Sequence, residues 1–467
     1  MSYKKIRSFD TAGFGGSNLR VGDLNGDCIP ELLLVQNYPM NREISALTAM
    51  DLDGNILWQY GKPGVGGADN YSDLPVQIYD WDGDGMNEVL FIQQAKYKIA
   101  DMWQYSTASR VIKEIKNQDE VRFDPDLASE RAQEYDGDAT LVILDGATGA
   151  VKEKITVPAP GDDCIAIGYF DGTGKPNLLV KDRYWNAWAL NHEGKVLWQV
   201  TAEELGASLG HYPGVFDFDG DGLDEVFLTN TLLDSDGTVL FRIDAEMTLD
   251  HHHDSVIAFT DVEEPRIITV ADKMRCISAT GEILWERDGG HWQQVIAGKF
   301  SADPKHGPYQ FLGRNRAPEY PSYQVAWEYG RHARHIPGQV CTLFDWNGNI
   351  IWNMTDPVES SIRRIRWMEG LDCIAKIPSY AGPTAPEAKL NEEYREVTII
   401  DGTGRVVDIL PGAEGKVVSD GGIYAADVIG DSRDELISYT GKQLVIYSND
   451  RPARERRHYN FTLCNGE

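Results

Sequence analysis

With 467 residues the chain is too long for one ordinary compact layered domain, and its 46 Gly, 10% aromatic content and short apolar runs describe an all-β protein rich in turns. A formal charge of -29 disfavours nucleic acid and anionic membranes as partners, and no run of residues is apolar enough to span a bilayer. The six Cys (28, 164, 276, 341, 373 and 464) are scattered without a C-x-x-C, which reads as reduced, buried thiols rather than a disulfide framework. The start, MSYKKIRSFDTAGFGG, lacks the apolar core of an export signal. If Met1 is the native start, a cytoplasmic protein is expected; otherwise the chain is a secreted protein with its signal removed.

The first predicted strand, YKKIRSF, has no repeat of its own. After it come eight similar units, whose first strands (A) are SNLRVGDL, PVQIYDW, CIAIGYF, PGVFDF, SVIAFT, QVIAGKF, IRRIRWM and IYAADV. Each runs through a turn, usually acidic, into a second apolar strand (B). A further pair (C and D) follows around a tight turn, as in LTAMDLDGNILWQY, AWALNHEGKVLWQV, RCISATGEILWER and CTLFDWNGNIIWNM. Four short antiparallel strands per repeat predict a propeller blade. The eighth unit, Ile423 to Tyr447, supplies only A, B and C, so the N-terminal strand is expected to close the ring as its D strand. That gives an eight-bladed β-propeller over 1–450 and a tail over 451–467. Seven blades remain the alternative if the last two units are misread. Long B–C connections are expected at about 94–138, 312–338 and 377–396, the first of them partly helical.

Three A–B turns have the spacing D-x-[DN]-x-D-x-x-x-E. They are Asp23, Asn25, Asp27 and Glu31; Asp80, Asp82, Asp84 and Glu88; and Asp217, Asp219, Asp221 and Glu225. Ca²⁺ takes six to eight oxygens, and carboxylates on alternate loop residues can converge on it. An EF-hand would need an acid at position 12 and flanking helices, so these loops are of another kind. Unit eight keeps part of the set (Asp427, Asp431, Glu435), unit three little (Tyr169, Asp171, Thr173, Asn177), and units five to seven almost none. Calcium is therefore expected as a structural staple of individual blades.

In such a meander the A–B and C–D turns share one face, and the D–A and B–C connections share the other. All three long insertions fall on the second, working face, as do seven of the ten His: His211, His251, His252, His253, His291, His332 and His335. His192 and His306 fall on the calcium-loop face. His211 lies six residues before Asp217, and His252 six before Ala258, the residue aligned with Asp217 in the next unit. With His291, they place His at the axis in three consecutive blades. A channel His bonded to backbone is the bland alternative for each alone. Arg314, Arg316, Arg331 and Arg334 crowd the blade-six insertion among Tyr and Trp, and Arg363, Arg364 and Arg366 lie on the blade-seven inner strand. Cations beside aromatics in so acidic a protein point to an anionic sugar. The substrate-contact set adds His253, His332, Trp292 and Tyr71.

A His pair, Tyr and Arg suit proton abstraction beside a carboxylate. Removing the C5 hydrogen of a uronate needs the carboxylate neutralised and a base of suitable pKa, which His supplies at about 6.5 unperturbed. The C4 oxygen then leaves with a proton from Tyr or His, which is β-elimination. No pair of acids for glycoside hydrolysis is evident on this face, and no H-E-x-x-H occurs.

The run VGDLNGDCIPELLLV … LTAMDLDGNILWQYG … VQIYDWDGDGMNEVLFI … LVILDGATGAVKE resembles the bacterial rhamnogalacturonan lyases, eight-bladed calcium-binding propellers. The likeness is specific in units one and two and loose after unit four. H-H-H-D-S-V is similar in place to a His-rich start of a middle blade there. The chain also resembles the wider group of propeller lyases that cut rhamnose–uronate bonds. The resemblance implies an acidic, rhamnose-containing oligo- or polysaccharide as substrate. It maps the elimination onto His211 or His252, Tyr212, and an Arg of the blade-six insertion such as Arg331, with His291 nearby. A non-catalytic calcium-repeat propeller that binds carbohydrate or protein shares the loops and remains the competing reading.

Overall fold

The computed structural model describes residues 3–16, 18–37, 43–64, 73–94, 139–161, 164–182, 186–207, 209–243, 256–271, 273–289, 292–315, 339–355, 360–378, 396–414 and 422–451. They form eight four-stranded antiparallel sheets, the eight blades of a β-propeller, with a short α-helical turn, Ala202–Leu205, between blades three and four and a 3-10 turn, Pro304–His306, in the A–B loop of blade six. Blade one runs A Asn18–Gly22, B Glu31–Asn37, C Ile44–Met50 and D Ile56–Gly61. Blades two to seven repeat this order over 76–157, 166–201, 214–242, 256–288, 292–355 and 360–411. Blade eight takes A, B and C from 423–449 and its D strand from Tyr3–Asp10, which pairs with Gln443–Asn449 from Tyr3↔Asn449 to Asp10↔Gln443. Eight blades and closure by the N-terminal strand both stand.

Burial explains why each strand has its own composition. The B and C strands of blade one (ELLLVQN, ISALTAM) are buried on both faces, so they read as continuous apolar runs. The D strand faces solvent and alternates, as in ILWQYG, where Trp58 is buried between exposed neighbours. The core lies between blades rather than within them. Leu33, Val35 and Leu47 of blade one pack on Val76, Ile78 and Phe91 of blade two, and Ile437 and Ile446 of blade eight pack on Leu19 and Leu32 of blade one.

Two devices recur around the ring. In the first, the D-strand Trp of one blade donates its indole N–H to the C–D turn of the next: Trp58 to Gly146 (2.7 Å), Trp198 to Ser235 (2.7 Å), Trp285 to Trp346 (3.3 Å) and Trp352 to Gly402 (2.9 Å). A glycine in the receiving turn makes room. At Gly149, with φ +68°, a Cβ would lie 2.6 Å from the Trp58 ring. In the second, a β-bulge interrupts the C–D pairing of blades one to seven. It leaves one residue unpaired: Leu57, Lys152, Leu197, Leu240, Leu284, Ile351 or Val407.

Some boundaries move. Strand B of blade six is Gln310–Asn315 and that of blade seven is Cys373–Pro378, so those two insertions start after the strands, not at 312 and 377. The insertions themselves and the tail beyond Arg451 lie outside the described residues. Among the described residues five cysteines are free. Four are buried, but Cys28 is exposed in the first acidic loop, where a buried thiol had been expected.

Candidate functional site

The A–B loops are held in one register throughout: the last A residue pairs with the first B residue in every blade. Around the ring that first B residue is Glu31, Glu88, Asn177, Glu225, Arg266, Gln310, Cys373 and Glu435. In six of the eight a side-chain oxygen of that residue closes the loop by accepting a backbone N–H from the start of the turn, whereas Arg266 and Cys373 have no such oxygen. Leu24 N–H donates to Glu31 (2.7 Å), Trp81 N–H to Glu88 (2.8 Å) and Val428 N–H to Glu435 (3.0 Å). Asn177 and Gln310 accept the same bond from Phe170 (2.6 Å) and Ser301 (2.8 Å). The amides keep the hydrogen bond and discard the charge, so those loops stay shaped without their final acid.

In the intact loops the first Asp accepts two backbone N–H groups, as Asp217 does from Gly220 (2.7 Å) and Gly222 (3.1 Å). The remaining carboxylate oxygens converge. Asp80, Asp82 and Glu88 each offer an oxygen within 4.8 Å of the others, and so do Asp217, Asp219 and Glu225. An all-oxygen donor set on a tight loop fits a hard cation such as Ca²⁺. Blade one differs: the Asn25 amide donates to Glu31 at 2.8 Å. Desolvation first, then the neighbouring acids, pushes Glu31 and Glu225 up to about 7. Glu435 is pushed up to about 8, also chiefly by burial. In blade two a hydrogen bond from Lys152 holds the Asp82 carboxyl below its ordinary range.

On the opposite face, His211 and Tyr212 lie in the connection between blades three and four. His211 is buried, with 4% of its surface exposed, and Tyr212 is partly buried; their rings are 6.4 Å apart. Blade three holds this segment. Lys181 Nζ donates to the Gly210 carbonyl at 2.9 Å, and the Cys164 thiol lies 3.9 Å from the His211 carbonyl. Arg314 lies on a strand rather than in the insertion. Its guanidinium bonds the Ser360 carbonyl of blade seven (2.8 Å) and Gln293 (2.9 Å), and it is 1% exposed, which makes it an inter-blade tie. Trp292 is packed in the core between blades five and six with Met274, Phe311 and Phe344, so it offers no ring to a ligand here. Arg366 belongs to the acidic-loop end, where it pairs with Asp434 of blade eight at 3.1 Å. His252, His253, His291, Arg316, Arg331, His332, Arg334 and Tyr71 lie outside the described residues. The register also corrects the blade-five alignment. Phe259 pairs with Arg266 as Phe216 pairs with Glu225, so the equivalent of Asp217 is Thr260, not Ala258.

Sequence reasoning noted Arg363 on the blade-seven inner strand but passed over its neighbours: Arg20 on the inner strand of blade one, Asp73 just before that of blade two, and Tyr439 of blade eight. Arg20 and Asp73 form an ion pair of 2.8 Å with both side chains 1% exposed. Asn18 donates to Asp73 at 2.6 Å, and Arg20 also bonds the Val76 carbonyl at 2.9 Å. Burial raises the pKa of the Tyr439 hydroxyl, and Arg363, Arg20, Asp73 and Tyr424 are its electrostatic neighbours. The available signal was an Arg inside the otherwise apolar run NLRVG.

No protein-family model and no curated protein matches the sequence. Solved structures do match over almost the whole chain. The exotype rhamnogalacturonan lyase YesX aligns at a TM-score of 0.62 and 19% identity, over 97% of this chain and 73% of its own. The Bacillus licheniformis rhamnogalacturonan lyase PL11 aligns at 0.61 and 18%, over 99% and 75%. The Vibrio cholerae biofilm matrix protein Bap1 aligns at 0.59 and 13%, over 97% and 92%. At these identities the likeness establishes the shared eight-bladed fold.

Proposed function

We propose that this propeller is a polysaccharide lyase, and more specifically that it cleaves a rhamnose–uronic acid (1→4) linkage by β-elimination to leave an unsaturated uronate. The observation that carries the reading is the end-to-end alignment with rhamnogalacturonan lyases at TM-scores of about 0.6, which leaves no blade of this chain unmatched. The His211–Tyr212 segment supports it, because a base and a hydroxyl acid adjoin on the face away from the acidic loops. In this scheme His211 or His252 takes the C5 proton, Tyr212 protonates the departing C4 oxygen, and Arg331 or a neighbour in the blade-six insertion neutralises the carboxylate. His291 completes the axial set, and His253, Arg316, His332, Arg334 and Tyr71 contact the sugar chain. Calcium on Asp23 to Glu31, Asp80 to Glu88 and Asp217 to Glu225 would brace the blades and take no part in the reaction.

Mixing the protein with rhamnose–galacturonate and rhamnose–glucuronate oligosaccharides should raise ultraviolet absorbance as the conjugated uronate forms. His211→Ala should lower that rate at least about 100-fold, as expected for loss of a general base, while the far-ultraviolet circular dichroism of the folded propeller is retained. Absence of any signal on both substrates, with His211→Ala indistinguishable in sugar binding, would sink the lyase reading. It would favour the competing one, a non-catalytic calcium propeller, to which the likeness to a biofilm matrix protein points.

A further inference from the structure

We propose that blade two carries its own cation: the ammonium of Lys152 holds the calcium position of the 80–88 loop, and calcium binds there only by displacing it. Lys152 Nζ lies 2.6 Å from Asp82 Oδ2, 2.7 Å from Glu88 Oε1 and 3.9 Å from Asp84 Oδ2. Asp82 and Glu88 are two of the three carboxylates whose oxygens converge in this loop. The ammonium therefore stands where the oxygens would meet a metal ion and uses two of the ligands that ion would need.

The backbone explains how a D-strand side chain gets there. Lys152 is the unpaired residue of the C–D bulge, with Ile143↔Glu153 on one side and Leu144↔Val151 on the other. A bulge re-aims the side chain of its extra residue. The same bulge occurs in six other blades, where its residue is aliphatic: Leu57, Leu197, Leu240, Leu284, Ile351 and Val407. Only in blade two does the bulge carry a charge, and there a long flexible stem reaches across the sheet to the acidic loop. Blade four has the same loop chemistry and Leu240 at the bulge. Among the described residues no ion pair reaches Asp217, Asp219, Asp221 or Glu225.

Two consequences follow from charge and tethering. One ammonium donates three hydrogen bonds and brings a single positive charge, so it satisfies part of what a divalent ion with six to eight oxygens would satisfy. Being tethered, it competes at an effective concentration of roughly millimolar or more, which weakens calcium at this loop without abolishing its ligands. Blade two is thus held shut when calcium is scarce, while blade four depends on the metal.

The experiment is a calcium titration by calorimetry on metal-stripped protein, comparing wild type, Lys152→Met, Asp80→Asn and the double variant. Methionine keeps the length of the stem and resembles the aliphatic residues of the sister blades. At micromolar free calcium, below the range in which the ion displaces the tethered ammonium, Lys152→Met should bind one more calcium per chain than wild type. Adding Asp80→Asn should remove that extra ion, and Asp80→Asn alone should leave the wild-type count unchanged. A folded Lys152→Met with no additional calcium, or an Asp80→Asn single variant that loses one, overturns the proposal. If Lys152→Met unfolds when stripped, native mass spectrometry on protein purified in calcium reads the same quantity: one ion more than wild type supports the proposal, and equal numbers overturn it.

Discussion

Glu31 and Glu225 show how burial of one carboxylate makes a loop sensitive to pH and to any cation it binds. Their folded pKa of about 7 lies above the ordinary 4.5, because burial and adjacent acids disfavour the charged form. Between those values the folded chain holds more protons than the unfolded one. Their stabilising effect is therefore complete below about pH 4.5 and is lost as pH rises through 7. In chelator the urea midpoint should fall from pH 5 to pH 7.5, each glutamate contributing up to about 3 kcal/mol. Calcium should flatten the slope by favouring the ionised form. Glu225→Gln should also reduce it, since Gln310 already closes the blade-six loop with an amide. A chelated midpoint that stays level over this range, or a Gln variant with the wild-type slope, would contradict this account. At this scale the acidic spacing was legible because three copies repeat it, and two of the three bring their carboxylates together. Lys152 was not, since its partners are 64 and 70 residues away in sequence.

At the scale of the element, the D strand does more than edge the blade. Its Trp sits under the next blade's turn and donates across the junction, so a motif written within one repeat acts between two. Trp198→Phe keeps most of the packing and loses the bond to Ser235, which should cost about 1 kcal/mol. Trp198→Ala also opens a cavity and should cost about 3–5 kcal/mol. Urea unfolding monitored by circular dichroism distinguishes them, and equal losses for the two would mean that the bond, not the ring, dominates. The runs NILWQY, KVLWQV, EILWER and NIIWNM show the Trp plainly. Its acceptor cannot be seen in an alignment of single units, because it belongs to a neighbour. The Arg314 tie to Ser360 escaped notice for the same reason, and its position beside an insertion made it resemble a ligand group.

For the molecule as a whole, blade count and closure were legible because each A–B and C–D pair is local and marked by its turn. Register across blades was less so: the shorter blade-five loop over 260–265 moved the equivalent of Asp217 by two residues. The inner charged set of Arg20, Asp73 and Tyr439 joins residues from opposite ends of the chain, which only the closed ring brings together. Closure itself rests on one strand. Tyr3–Asp10 pairs with Gln443–Asn449 along its length, and Phe9 packs against the Gly54 turn of blade one. Without it, the buried strand QLVIYSN becomes an open apolar edge, which invites pairing with a second chain. A chain lacking residues 1–10 should therefore self-associate in size-exclusion chromatography and unfold at lower urea than the full protein. A peptide of residues 3–10 added in excess should restore the monomer by supplying the missing strand. A truncated chain that stays monomeric with an unchanged midpoint would show that the remaining blades hold the ring without its closing strand.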